Sequence, residues 1–246
     1  LPAMNDGQEI LEEDSGMETN VPHVETVVDE SELEQTDSFK YRINPSNWKV
    51  EPITEEANPK VVLLTIDDAP DRYALEMAQL LKELEVGAIF FVNGIFIQSE
   101  EGKEKLRKIN ELGFEIGNHT MSHKNLSELT PEEQKEEIIA LNDLIEETIG
   151  TRPRFFRAPF GVNTETSKQV AVDENMQWMN WSYGYDFFKE YQEADALTEI
   201  MVNAPELTSG ANLLMHDRKW TLEALDEIII GLRGKDYEFV NPKEIK

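Results

Sequence analysis

The sequence predicts an α/β barrel built from parallel strands. From about residue 60 onward, short apolar runs alternate with segments of helical periodicity, and such repeated βα units give parallel strands joined by right-handed crossovers. Polar side chains stand directly after several of the apolar runs: Asp67, Asp68, His119, Arg157 and His216. In a barrel, all carboxyl ends of the strands open on one mouth, where these side chains converge. An open sheet does not bring distant strands together so readily, so we expect the barrel.

Seven strands are expected. The first, residues 61–66, is continuously apolar, which is typical of a strand buried on both faces. The other apolar runs that indicate strands are residues 88–92, 114–117, 155–160 with its turn, 177–183, 211–215 and 237–240.

The intervening segments predict helices. Residues 71–85 carry leucine and alanine at helical spacing and stop before Gly87. Residues 130–133, Thr-Pro-Glu-Glu, form a capping box with proline at the first helical position, and this helix runs to Gly150. Further helices are expected at residues 100–112, 164–175, 193–203 and 219–233.

Composition excludes several classes of function. The 246 residues include 50 acidic and 23 basic side chains, a net charge of −27. Such a surface repels nucleic acid and anionic membranes, so neither is an expected partner, and an anionic glycan would have to be held by local contacts. The absence of cysteine excludes disulfides, thiolate metal ligands and cysteine nucleophiles. No apolar run approaches the roughly 18 residues of a transmembrane helix.

Three regions are expected along the chain. Residues 1–38 contain many acidic residues but no lysine or arginine, and their sparse apolar residues show no period, which predicts a disordered acidic tail or tether. Residues 39–59 form a bridging segment that we expect to pack on the domain. Residues 60–246 form the predicted catalytic domain. Because the chain begins with Leu1, we also expect processing at the N-terminus, with a signal or anchor outside the sequence.

Two of the four histidines, His119 and His123, are four residues apart. On a helical turn, or on a strand end that runs into one, such residues share a face, and two imidazoles on one face commonly begin a transition-metal site. The alternative is a polar loop with two surface histidines. That interpretation weakens because the carboxylate pair Asp67–Asp68 and a further histidine, His216, also follow apolar runs.

These residue types together indicate hydrolysis. A metal held by one carboxylate and two imidazoles keeps positions open for water and substrate. We expect the side chains of Asp67 and Asp68 to point in different directions, so that one can bind the metal while the other acts as a base. A histidine on the far side of the metal can then protonate the leaving group. The expected reaction is cleavage of an amide or an ester.

Five motifs in order carry a resemblance over most of the chain. Residues 65–70 (T-I-D-D-A-P) resemble T-F-D-D-G-P, residues 119–123 fit H-[ST]-x-x-H, and residues 157–161 (R-A-P-F-G) resemble R-P-P-Y-G. Residues 181–187 stand at the place of an aspartate–tryptophan motif, and residues 214–216 fit L-x-H. From about residue 60 to 240 the chain therefore resembles the polysaccharide deacetylase family, carbohydrate esterase family 4.

The resemblance implies a distorted (β/α)7 barrel with parallel strands and a role for each site residue. The implied roles are Asp67 as general base, Asp68, His119 and His123 as metal ligands, Arg157 as the partner of the base, the Phe160 N–H as oxyanion donor, Asp186 as the residue that orients His216, His216 as general acid, and Leu214 and Trp181 as the acetyl pocket.

Three of the departures from the family pattern bear on the site. Ala69 replaces a glycine and requires a compatible backbone. Phe160 replaces a tyrosine, a change that a backbone role survives. Phe187 follows Asp186 where the family has tryptophan, and Asp186 is the one aspartate of this motif.

The expected function is a metal-dependent hydrolase that removes N-acetyl groups from a polysaccharide: peptidoglycan, a chitin-like polymer or an exopolysaccharide. Zn²⁺ is the expected metal, although Co²⁺, Mn²⁺ and Fe²⁺ can bind such a site. We expect a monomer that acts outside a bacterial cell or at its surface rather than in the cytoplasm. The alternatives are an O-acetyl esterase on a glycan such as xylan, a catalytically silent glycan-binding module, and a cyclic-amide hydrolase on a similar barrel.

Overall fold

The computed structural model describes residues 39–246. Its strands are β1 Tyr41–Ile43, β2 Val50–Pro52, β3 Val61–Ala69, β4 Ala88–Val92, β5 Glu115–Asn118, β6 Phe155–Phe156, β7 Gln177–Trp178, β8 Ala211–His216 and β9 Glu238–Phe239. Its α-helices are α1 Ala74–Glu83, α2 Glu100–Glu111, α3 Pro131–Ile149, α4 Glu165–Asp173, α5 Ala194–Asn203 and α6 Lys219–Gly234. The expected acidic tail, residues 1–38, lies outside the described residues.

Seven strands form one parallel sheet in the order β7-β6-β5-β4-β3-β8, and β9 pairs with the start of β3. The sheet curls so that the chain just past β7 returns to β8. There Tyr183 pairs in parallel with Leu213, and the N–H of Ser182 donates to the Asn212 carbonyl at 2.7 Å. This short bridge replaces a full strand pair. The prediction of a distorted (β/α)7 barrel is confirmed.

Three predicted strands are shorter than expected, and the last, predicted at 237–240, covers only Glu238–Phe239. The strand predicted at 155–160 ends at Phe156, because Pro159 lacks an N–H and begins a 3₁₀ turn. The strand predicted at 177–183 ends at Trp178. Beyond it, the Asn180 carbonyl accepts from two side chains, the Arg157 guanidinium at 2.9 Å and Nδ2 of Asn212 at 3.3 Å.

The strands divide their apolar side chains between two faces. Alternate residues of β3 and β4 enter the cluster packed under the helices, among them Leu64 and Phe90. The residues between them, such as Leu63 and Phe91, enter a second cluster with β6 and the β1–β2 pair. Because side chains alternate along a strand, the residues that follow Leu63 on its face, Thr65 and Asp67, continue toward the barrel mouth.

The bridging segment contains a hairpin that the sequence analysis did not predict. Strands β1 and β2 pair antiparallel, and Tyr41, Ile43 and Val50 are buried in the second cluster. Two asparagine side chains hold the turn between them. Oδ1 of Asn44 accepts from the Ser46 N–H, and Oδ1 of Asn47 accepts from the Lys49 N–H. Turn-forming asparagines between two short apolar segments were the available signal. Within residues 39–246, no helix has the length and apolar character needed to cross a membrane.

Helix α1 takes its N-terminal cap from a distant residue. Its own N-cap residue, Tyr73, provides no side-chain cap. The buried carboxylate of Asp217, just past β8, accepts from the N–H groups of Tyr73 at 2.6 Å, Asp71 at 2.8 Å, Ala74 at 3.1 Å and Arg72 at 3.3 Å. One carboxylate therefore satisfies the donors that a helix start leaves free and ties β8 to α1.

We expect Asp217→Ala to lower the free energy of unfolding by about 2–4 kcal/mol, because it removes a buried carboxylate that accepts from four backbone N–H groups at the start of α1. Urea denaturation followed by circular dichroism measures this. The matched control is Thr130→Ala, which removes the exposed cap of α3 and is expected to cost about 1 kcal/mol. A cost for Asp217→Ala no larger than that of the control would contradict the assignment.

Candidate active site

A bulge in β3 places two carboxylates on one side of the strand. Ile66 lies opposite Phe90 and Ala69 lies opposite Val92, so β3 holds one residue more than β4 over this stretch. Asp68 has a left-handed backbone with φ 61°. In a regular strand, consecutive side chains point to opposite faces, and the extra residue turns the second one back.

Both carboxylates consequently face His119. Its Nε2 is 3.5 Å from Oδ2 of Asp67 and 3.7 Å from Oδ1 of Asp68. The expectation that the two side chains point in different directions is wrong, because the bulge breaks the alternation. Their second oxygens distinguish them instead: Oδ1 of Asp67 contacts Arg157 and Oδ2 of Asp68 contacts Arg218.

The replacement of glycine by Ala69 introduces no strain. The positive φ falls on Asp68, while Ala69 continues β3 and is buried in the cluster under the helices. Its methyl group therefore belongs to the core and not to the floor of the site.

His119 and His123 lie on a loop after β5, so the expectation of a shared helical face is wrong. Thr120 and His123 adopt left-handed backbone with φ 73° and 56°. Side chains replace the helical hydrogen bonds: Asn118 Oδ1 accepts from the Thr120 N–H at 2.8 Å, and Thr120 Oγ1 accepts from the His123 N–H at 3.2 Å. This turn brings both imidazoles to Asp68.

Two buried residues that the sequence analysis missed support this loop. Asn93 donates from Nδ2 to the carbonyls of His119 at 2.7 Å and Thr120 at 3.3 Å. The carboxylate of Glu137 on α3 accepts from the N–H of Ser122 at 2.8 Å and also from its hydroxyl. Asn93 directly follows an apolar strand, which was a usable signal. Glu137 is one of several acidic residues on its helix and had none.

The geometry of Asp68, His119 and His123 fits a metal ion. Oδ1 of Asp68 is 3.4 Å from Nε2 of His123, and the three ligand atoms lie within 4.8 Å of one another. Two atoms that each bind a tetrahedral metal at about 2.1 Å are about 3.4 Å apart. Among the residues that the structure describes, this is the one group of three or more such side chains with that spacing.

Hydrogen bonding and charge prepare these ligands. His119 Nδ1 is 2.7 Å from the carbonyl oxygen of Arg157, which accepts its proton and leaves Nε2 free toward Asp68. Burial lowers the pKa of His119 and so favours the neutral imidazole that a metal requires. Burial acts to raise the pKa of Asp68, but the surrounding histidines and Arg218 outweigh it and lower that pKa.

Arg157 is a fully buried cation beside the candidate base. Its Nη1 donates to Oδ1 of Asp67 and to Oγ1 of Thr65, both at 2.7 Å. Its guanidinium lies 4.3 Å from the ring centroid of Phe91. The pairing leaves Oδ2 of Asp67 as the oxygen that faces the histidines.

Asp186 contacts His216 directly. Its Oδ1 is 2.7 Å from Nδ1 of His216, and its Oδ2 accepts from the His216 N–H at 2.6 Å and from the Thr221 hydroxyl at 2.7 Å. Burial lowers the pKa of His216, but the charge and hydrogen bond of Asp186, with the nearby aspartates, raise it to about 8. His216 is therefore mainly cationic at neutral pH, and its Nε2 makes no hydrogen bond within residues 39–246.

The remaining predicted residues lie around the same centre. Phe160 has left-handed backbone with φ 60°, and its exposed ring stands edge-on to His123 at 4.9 Å between centroids. The Trp181 ring lies 5.7 Å from the Arg157 guanidinium. Leu214 is buried in β8, two residues before His216.

Arg218, which the sequence analysis missed, is a charged residue that contacts the candidate ligand Asp68. Its Nη2 donates to Oδ2 of Asp68 at 3.0 Å and its Nη1 donates to the Asp217 carbonyl at 2.9 Å. Its position shortly after the L-x-H motif offered a signal of location but none of role.

Residues 54–179, just over half of the chain, match the family model described as polysaccharide deacetylase. The chain belongs to this family. A peptidoglycan-N-acetylglucosamine deacetylase of Bacillus cereus is 29% identical over 189 residues, which cover 74% of this chain and 67% of that relative. The peptidoglycan-N-acetylmuramic acid deacetylase PdaC of Bacillus subtilis is 30% identical over 196 residues, which cover 78% of this chain but only 40% of PdaC.

Solved structures of the family agree with the barrel. The structure of peptidoglycan deacetylase PdaC from Bacillus subtilis superposes with a TM-score of 0.65 at 29% identity and covers 74% of this chain and 88% of that one. A pseudoenzyme of carbohydrate esterase family 4 from Bacillus anthracis superposes with a TM-score of 0.67 at 28% identity and covers 77% and 67%. This fold therefore occurs in deacetylases and in at least one pseudoenzyme.

We expect Asp186→Asn to lower the pKa of His216 from about 8, because it removes the negative charge and leaves the effect of burial. An NMR titration of the imidazole in the metal-free protein, assigned with His216→Gln, measures this. Thr221→Val is the control, because it removes a hydrogen bond to Asp186 but keeps the charge. An unchanged pKa in Asp186→Asn would show that the contact does not hold in solution.

Proposed function

We propose that this protein is a metal-dependent deacetylase that removes N-acetyl groups from peptidoglycan at the bacterial cell wall. The observation that carries the proposal is the arrangement of a candidate base, Asp67, and a cationic candidate acid, His216, around the ligand set Asp68, His119 and His123. The relatives with peptidoglycan substrates support the choice of polymer. The chain covers less than half of PdaC, so the activity of the whole protein is part of the proposal.

Zn²⁺ is the metal that one carboxylate and two imidazoles favour. When bound, it supplies a Lewis acid that polarises a carbonyl and activates water. Asp68, His119 and His123 would hold it, and Asp68 would do so through Oδ1, because Oδ2 is hydrogen-bonded to Arg218.

Asp67 acts as the general base. The Arg157 guanidinium holds Oδ1 with a hydrogen bond of 2.7 Å and supplies the opposite charge. Oδ2 remains on the side of His119 and takes the proton of the attacking water. Arg157 is therefore a positioning residue for Asp67.

His216 acts as the general acid. Asp186 binds Nδ1, so the proton on Nε2 is the one donated to the departing sugar amine. The Phe160 N–H stabilises the oxyanion through a backbone group, which phenylalanine supplies as well as tyrosine does. Leu214 and Trp181 border the space for the acetyl methyl group.

The metal and the base are tested by separate substitutions. We expect His119→Ala to abolish both Zn²⁺ binding and acetate release. Asp67→Asn should keep Zn²⁺ binding but lower acetate release by about 100-fold or more, because it removes only the base. Calorimetry with Zn²⁺ and an acetate assay on peptidoglycan, chitin oligomers and an exopolysaccharide measure the two properties.

The matched control is Lys124→Ala, a change to an exposed residue next to His123 that should leave both properties near wild type. Full activity in Asp67→Asn would refute its role as base. Undiminished Zn²⁺ binding in His119→Ala would refute the ligand set.

The pH profile tests the acid. His216 must be protonated to donate, and its pKa of about 8 means that kcat should fall as the pH rises through that value. In Asp186→Asn this alkaline limb should move to lower pH, because the pKa of His216 falls. A limb that stays in place would assign the proton donor to another group.

The second candidate is a silent glycan-binding member of the family, which the pseudoenzyme neighbour favours. The departure at Ala69 gives it no support, because that residue is unstrained core. At Phe187, the ring still contacts His216 edge-on at 5.8 Å. Zn²⁺-loaded protein that binds glycan but releases acetate from neither N-acetyl nor O-acetyl sugars would identify this candidate. Release from O-acetyl sugars alone would identify an esterase.

A further inference from the structure

Arg218 and His216 lie on the same side of the chain, and this side faces the site. The two residues are separated by Asp217, and Arg218 has extended backbone with φ −135° and ψ 152°. Alternate side chains of an extended segment point to the same side. Asp217 points the other way and caps α1, so Arg218 and His216 lie together at the barrel mouth.

The guanidinium of Arg218 binds the same carboxylate that faces the candidate ligand atoms of the histidines. Asp68 presents Oδ1 to the histidines and Oδ2 to Nη2 of Arg218. A guanidinium has five N–H donors, and two of them are used by the hydrogen bonds of the described part of the chain, to Asp68 and to the Asp217 carbonyl. The side chain is 37% exposed, and the other three donors make no hydrogen bond within residues 39–246.

An open guanidinium fork is a binding group for carboxylates. The mouth holds Asp67, Asp68 and Asp186, and the chain carries a net charge of −27, so an anionic substrate would be repelled. Such a substrate therefore needs a cationic group that binds it. Arg157 cannot serve, since it is fully buried and bound to Asp67.

We propose that Arg218 forms a carboxylate subsite beside the scissile acetamide, which selects amino sugars of the N-acetylmuramic acid type. In that sugar a lactyl carboxylate stands on C3, next to the C2 carbon that bears the acetamide. N-acetylglucosamine has a neutral hydroxyl there. The subsite rests on the proposed function, since His216 marks where the C2 nitrogen departs. In intact peptidoglycan the lactyl carboxyl is joined to peptide, so the subsite selects glycan strands from which the peptide is absent.

The experiment compares four tetrasaccharides of equal length. The first alternates N-acetylglucosamine and N-acetylmuramic acid with free lactyl carboxylates, and the second is its lactyl carboxamide. The third is neutral chitotetraose, and the fourth alternates N-acetylglucosamine with a uronic acid, the other source of a neighbouring carboxylate. Binding is measured by calorimetry on the Asp67→Asn protein, and kcat/KM is measured by mass spectrometry on the Zn²⁺-loaded enzyme.

We expect the free lactyl carboxylate to exceed its carboxamide by about tenfold or more in both measurements, the effect of one hydrogen-bonded ion pair. Arg218→Met should bring this ratio to about one, and Arg218→Lys, which keeps the charge but not the fork, should give an intermediate ratio. The control Lys219→Met removes a neighbouring exposed cation paired with Glu223 and should keep the ratio.

A ratio near one in the wild type, or a ratio that survives Arg218→Met, would overturn the subsite. Preference for the uronic acid over the lactyl sugar would overturn the muramic assignment while supporting carboxylate recognition. If Zn²⁺-loaded wild type releases no acetate from any of the four, the proposed deacetylase fails. The ratio of affinities for the free lactyl carboxylate and its carboxamide still tests the subsite. It is then compared between the Asp67→Asn protein and the Asp67→Asn, Arg218→Met double variant.

Discussion

The buried guanidinium of Arg157 is the contact on which the rest of the site depends. A charge without solvent exposure costs several kcal/mol unless it is paired and hydrogen-bonded. Its partners come from separate parts of the barrel: Asp67 on β3, and the Asn180 carbonyl past β7. Its own carbonyl orients His119. One residue thus positions the candidate base through its guanidinium and a candidate metal ligand through its carbonyl, and a shift of Asp67 would leave a buried charge unpaired.

The backbone is strained where the chemistry is expected. Four of the eight non-glycine residues with positive φ in residues 39–246 stand at the site: Asp68, Thr120, His123 and Phe160. Left-handed backbone costs roughly 1–2 kcal/mol for a residue with a Cβ atom. Such conformations persist where surrounding contacts over-determine them, and they cluster at functional sites. Here the side-chain amides of Asn93 and Asn118 hold the histidine loop in place.

The barrel and the location of the site were predictable because both follow from local patterns: apolar runs, helical spacing and polar residues at strand ends. The shape of the site was not. A one-residue bulge at Asp67–Asp68 leaves no periodic signal, and a loop with left-handed residues cannot be distinguished from a helical turn by the spacing of His119 and His123. The contacts of Arg218 with Asp68 and of Asp217 with α1 join residues about 150 positions apart, so only tertiary structure reveals them. The role of each site residue stays a prediction.

Three aspartates, Asp67, Asp68 and Asp186, contact the histidines of the site, and a fourth, Asp217, points to the other side of the chain and caps α1. Each has a different partner: Asp67 has Arg157, Asp68 has two histidines and Arg218, Asp186 has His216, and Asp217 has the N–H groups of α1. Because the four side chains are chemically identical, their partners distinguish the candidate base, the candidate metal ligand, the candidate orienting group and the helix cap. The pseudoenzyme with the same fold shows that the barrel does not require catalysis. The proposed activity rests instead on this assignment of partners, all of which are present in residues 39–246.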